Sequence, residues 1–99
     1  MGEVKTAPVA AVLVDEAAFA PAGAIAFYED RASGEIAGFH FQCPCGCGLM
    51  GGVRLIGSQA WRWNACRDKP TVSPSVLLYG ADGRPHWHGW LRNGVWESC

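Results

Sequence analysis

Apolar and polar positions alternate along most of the chain with a period of two, the signature of half-buried strands. The run Ile36 to Gln42 sets Phe39 and Phe41 on one face and His40 on the other. Ala24 to Glu29 precedes it across an Arg31-Ala32-Ser33-Gly34 turn, and the two runs predict a hairpin. Alternation resumes over Met50 to Ile56, Trp61 to Asn64 and Thr71 to Tyr79, where Pro74 marks an edge or a bend. Ala81 to Pro85 is a turn, and His86 to Arg92 and Val95 to Glu97 flank Asn93-Gly94, the preferred pair for a type I′ hairpin. Nearer the start, Val9 to Val14 is apolar enough for a strand, and Asp15 to Phe19 could make one helical turn before Pro21. Short strands between glycine-rich turns predict an all-β fold, a small antiparallel sheet or sandwich.

With 99 residues there is room for one domain, residues 1–99, of which 1–8 read as a loose lead-in. A hydrophobic fraction of 49% excludes a disordered charged tail. Neither a membrane-spanning apolar run nor a signal-peptide pattern is present, so a cytoplasmic location is expected. The near-neutral net charge conceals an asymmetry: residues 1–49 carry six acids against two bases, residues 50–99 three acids against six bases. All five tryptophans lie in that second half. They either fill a small core or leave some exposed; Trp61, Arg62, Trp63, Trp90 and Arg92 are the candidate partner-binding residues, since aromatic and guanidinium groups suit both a protein surface and nucleic-acid bases.

The chemistry concentrates in Cys43-Pro44-Cys45-Gly46-Cys47. Cysteines two residues apart pair poorly with one another, and five is an odd number, so a metal is the better reading than a disulfide. Proline stiffens this loop, while Gly46 and Gly48 allow the backbone to turn sulfurs inward. Three thiolates leave a tetrahedral zinc ion one ligand short. The distant candidates are the two histidines of His86-Trp87-His88, which share a face of an alternating strand. His88 is the preferred fourth ligand and His86 its competitor. Closing the long intervening loop costs only a few kcal/mol, whereas structural zinc contributes on the order of 10 kcal/mol or more. His40 reads as structural or as support for a ligand, Cys66 as a small buried residue or free thiol, and Cys99 as a frayed end. No carboxylate adjoins the histidines in sequence, so the zinc reads as structural. Ser73-Pro74-Ser75 has hydroxyls but lacks the Gly-x-Ser-x-Gly elbow, and no catalytic residue is assigned.

Phe41-Gln42-Cys43-Pro44-Cys45-Gly46-Cys47-Gly48, a following Trp, Ser73-Pro74-Ser75-Val76, His88 and Asn93-Gly94 together resemble a family of small proteins found in bacteriophages, prophages and bacterial operons carrying ubiquitin-like components. The resemblance spans Phe39 to Trp96, and implies that residues 39–96 form a zinc-binding β core of phage or mobile-element origin. Members often carry a further cysteine just before the histidine matching His88; here the sequence reads Arg84-Pro85-His86, which leaves the choice of imidazole open. The function expected is a zinc-stabilised, non-enzymatic binding module, a phage-type accessory protein docking on a host or phage protein in the bacterial cytoplasm. Its alternatives are nucleic-acid binding through the basic, tryptophan-rich half and a zinc-dependent hydrolase.

Overall fold

A computed structural model describes residues 3–99 as eight strands in two antiparallel sheets. They are β1 (Val9–Ala10), β2 (Ile25–Glu29), β3 (Ile36–Gln42), β4 (Met50–Arg54), β5 (Arg62–Trp63), β6 (Val72–Tyr79), β7 (Pro85–Arg92) and β8 (Val95–Ser98). One sheet has the order β1-β8-β7-β6-β5, the other β2-β3-β4. The all-β expectation holds, and most strands fall where alternation places them. Asn93 and Gly94 both take positive φ, 50° and 75°, as the β7–β8 turn demands.

Two expectations near the start fail for physical reasons. Val9 to Val14 is not one strand, because it crosses between the sheets. Val9 and Ala10 pair with Trp96 and Val95 of β8, whereas Val12 and Val14 bond Ile25 at the start of β2. The predicted helical turn over Asp15 to Phe19 is instead a tight turn, closed by Ala20 N–H donating to Ala17 O at 3.1 Å, with Phe19 at φ 60° and wholly exposed. Residues 3–6, read as a loose lead-in, are tied to the ends of β7 and β8: Val4 N–H donates to His86 O at 2.7 Å and Thr6 N–H to Ser98 Oγ at 2.8 Å.

The core lies between the sheets and is strongly aromatic. Phe39 and Phe41 of β3 meet Trp87 of β7 and Trp96 of β8, all four at most 1% exposed. Trp96 lies 4.7 Å from Phe41 between ring centroids and edge-on to Trp87 at 5.6 Å. Their indole N–H groups are satisfied within the protein, by Gly23 O and Thr6 Oγ1 respectively, so the rings are buried without stranding a donor. Two of the five tryptophans therefore build the core. Gly89 makes room for this arrangement: a Cβ there would collide with Glu97 O and the Trp87 ring. Gly89→Ala is expected to destabilise the fold by about 2–3 kcal/mol through overpacking, read as a lowered denaturant midpoint with an unchanged slope.

The β6–β7 ladder is regular from Val76↔Gly89 to Leu78↔Trp87, then slips between Val76 and Val72. Pro74 sits within the slip and has no N–H to give the ladder, which accounts for the bend read there from sequence. That slip sets the position of Ser75.

Candidate functional site

The β3–β4 loop and the start of β7 bring four donors together: Cys43, Cys45, Cys47 and His86, their ligand atoms all within 4.8 Å of one another. Cys43 Sγ lies 3.3 Å from Cys45 Sγ, far beyond a disulfide bond, and His86 Nε2 lies 3.3 Å from the sulfurs of both Cys45 and Cys47. A tetrahedron with metal–sulfur bonds of about 2.3 Å and a metal–nitrogen bond of about 2.0 Å requires separations of about 3.8 Å and 3.5 Å, so this cluster could close on one ion with small adjustments. The loop is built for it. Cys43 N–H is anchored on Leu49 O at 2.8 Å, Gly46 N–H closes a turn onto Cys43 O, and Gly46 and Gly48 adopt φ of 84° and 90°.

Nearby backbone amides favour the thiolate forms, that of Cys45 for Cys43 and that of Leu49 for Cys47. Burial pushes the Cys43 thiol far above its ordinary value, and the Cys45 amide offsets only part of this. Burial also raises Cys47, but the Leu49 amide and the thiols of Cys45 and Cys43 outweigh it and hold Cys47 below the usual thiol range. A divalent cation would remove the penalty on the buried thiolate and balance the crowded sulfurs. The soft, four-donor set fits a closed structural site.

His88, preferred over His86 as the fourth ligand by the sequence, faces elsewhere. Residues two apart on a strand are separated by about 6.8 Å, so one ion cannot easily take both imidazoles. His88 Nε2 instead lies 2.8 Å from Ser75 Oγ, a hydrogen bond whose donor depends on the imidazole tautomer. On the other side of the ring, His88 Nδ1 is 4.0 Å from Glu3 Oε1, which also stands 3.9 Å from Lys5 Nζ. Both Ser75 and His88 are half-buried, and the Trp61 indole donates to Ser75 O at 3.2 Å, fixing the backbone at the slip in β6. A serine hydroxyl, an imidazole and a carboxylate stand in series.

Sequence reading missed this serine. It carries no nucleophile elbow, and the β6–β7 register does not reveal it either. A regular count back from Tyr79↔Pro85 would put Leu77 opposite Trp87, and only the irregularity between Leu78 and Tyr79 brings Leu77 opposite His88, with Ser75 diagonally beside it on the same face. Glu3 entered only as a charge.

The remaining candidates are scattered. Trp63 packs on Phe27 at 5.3 Å with its indole N–H buried and unpartnered, and Arg62 is exposed on β5. Arg92 lies over Trp90 at 4.4 Å and reaches Glu97 at 4.0 Å, so its charge is partly answered within the protein. His40 stacks on Tyr28 at 5.0 Å. Cys66 Sγ accepts from Lys69 N–H at 3.4 Å, and Cys99 is exposed; neither joins the metal-competent cluster. Among the described residues, no helix is long and apolar enough to cross a membrane.

The model of a family described as bacterial ubiquitination-like system serine protease (BubE) matches residues 14–99, extending the resemblance seen from Phe39 onward well toward the start of the chain. No curated protein and no solved structure gives a significant match.

Proposed function

The chain belongs to the BubE family of bacterial ubiquitination-like systems, and from that footing we propose that it is a serine peptidase in which Ser75 is the nucleophile and His88 the general base. The observation that carries this reading is the 2.8 Å contact between Ser75 Oγ and His88 Nε2. It stands on two adjacent strands, which hold nucleophile and base more rigidly than loops would. The family's description as a serine protease supports the same assignment.

With the proton on Nδ1, His88 Nε2 accepts the Ser75 hydroxyl hydrogen as Oγ attacks a carbonyl carbon. The imidazolium then returns that proton to the departing amine as the carbon–nitrogen bond breaks. Water, deprotonated by the same Nε2, cleaves the acyl ester and restores Ser75. The substrate class that fits the family is a ubiquitin-like protein, cut at its C-terminal extension or at the amide joining it to a target. This reading keeps a protein partner, now as substrate, and sets aside the non-enzymatic binding module, because a bare docking surface gives no reason for a serine and an imidazole to be paired in this way.

The cysteine cluster has a structural part in this proposal. Zinc suits its three thiolates and one imidazole, and would pin the β3–β4 loop to β7 two residues before His88. The two histidines then separate cleanly by experiment. His86→Ala is expected to lose the metal and lower the melting temperature, while His88→Ala keeps the metal and loses cleavage; elemental analysis and a peptidase assay on each variant read the difference. If His88→Ala loses the metal and His86→Ala retains it, the assignment is reversed.

The reading is tested by incubating the protein with the ubiquitin-like protein of its system, extended at the C-terminus, and identifying products by mass spectrometry. Expected is a single cut, blocked by a fluorophosphonate that becomes attached to Ser75. Attachment elsewhere, or cleavage insensitive to the reagent, would overturn it.

A further inference from the structure

Beyond the serine and its base, and resting on that serine-peptidase reading, we infer that Glu3 is a positioning residue for His88, delivered by a segment that lies ahead of the family-matched residues 14–99. Hydrogen bonds from Val4, Lys5 and Thr6 dock this segment. Val4 N–H donates to the carbonyl of His86 at 2.7 Å, and Lys5 Nζ to Cys99 O at 2.7 Å. Thr6 N–H donates to Ser98 Oγ at 2.8 Å, and Trp87 Nε1 donates to Thr6 Oγ1 at 3.2 Å. The bond to His86 O matters most, because it fixes Glu3 against the part of β7 that carries His88. Cys99 N–H secures His88 from the opposite side, bonding its carbonyl at 3.0 Å.

A base that accepts the serine proton at Nε2 must carry its own proton at Nδ1, and something must favour that tautomer. Among the described residues Glu3 has the carboxylate in ion-pair contact with Nδ1; Glu97, the other acid of this region, is turned to Arg92. At 4.0 Å the Glu3 contact is a charge interaction and not yet a hydrogen bond. Closing it takes a shift of about 1 Å, within the tightening that such pairs undergo when substrate binds. Lys5 Nζ lies 3.9 Å from the same oxygen and leaves the carboxylate its contact with His88. The chain thus completes its catalytic series from a stretch of sequence that the family pattern does not include.

The test uses the full chain and Glu3→Gln, which preserves shape and removes charge. Two readouts are followed: the rate at which a fluorophosphonate phosphonylates Ser75, with Oγ bonding to phosphorus, fluoride leaving and the hydroxyl proton passing to His88; and the hydrolysis of p-nitrophenyl acetate. Phosphonylation and kcat are expected to fall together by about 10- to 100-fold with KM and melting temperature unchanged, since the glutamine leaves the main-chain docking intact. Glu3→Gln reacting at the wild-type rate overturns the inference, as does a loss matched by a lowered melting temperature, which assigns Glu3 to stability. Failure of the unaltered protein to be modified at Ser75 is a different result, and removes the peptidase reading together with this one.

Discussion

Ser75→Ala is expected to abolish both reaction with fluorophosphonate and cleavage of a ubiquitin-like substrate while leaving the fold in place. Removing a serine nucleophile from a working pair costs on the order of 10³- to 10⁶-fold in kcat, because base and nucleophile act as one unit. Stability should change little: the hydroxyl is half-buried and its loss costs one hydrogen bond, about 1 kcal/mol. Ser73→Ala is the matched control. Ser73 lies two residues away, exposed, opposite Arg62 of β5, and has no imidazole beside it. Retained cleavage in Ser75→Ala, or equal losses in the two variants, would remove Ser75 from the chemistry.

Removal of the metal is expected to have the largest effect on stability. Protein prepared without chelator should contain about one zinc per chain, as a four-donor site binds a single ion. Stripping it, or replacing Cys45 with serine, forfeits binding free energy on the order of 10 kcal/mol, comparable to the whole stability of a domain this size. Cys45 is the informative choice because its sulfur touches both Cys43 and His86, so its loss opens the middle of the cluster. Circular dichroism should show cooperative unfolding at room temperature, reversed by zinc for the stripped protein but not for the variant. Metal-free protein that melts at the original temperature would show that the cluster adds nothing to folding.

The fold was legible in sequence wherever a local rule was sufficient. Phe39 and Phe41 against His40 define β3 to the residue, because burial on one face imposes the two-residue period. Asn93-Gly94 defines a turn because few other pairs tolerate two positive φ angles. The spacing of Cys43, Cys45 and Cys47 announces a metal-competent loop without help from the rest of the chain. Long-range geometry was harder to read. His86 and His88 look equivalent on a strand, and only the approach of the β3–β4 loop distinguishes them. Ser75 gains its partner from the register across β6 and β7, after a slip at Pro74 that propensity does not fix. Glu3 lies far from His88 along the chain and reaches it through the main-chain N–H groups of Val4 and Thr6, whose partners on β7 and β8 no local pattern identifies. The stretch from Val9 to Val14 misled for a related reason: its apolar residues serve two sheets, so their pattern describes neither.

The four donors come from both layers, three from the loop of the smaller sheet and one from β7 of the larger. A bound ion would therefore be a rivet between layers, and neither could open locally without breaking a coordination bond. Amides of β3 and of β7 should then exchange with deuterium at a common slow rate in the loaded protein, through whole-molecule unfolding alone. Once the ion is gone, the two sets of amides should part company.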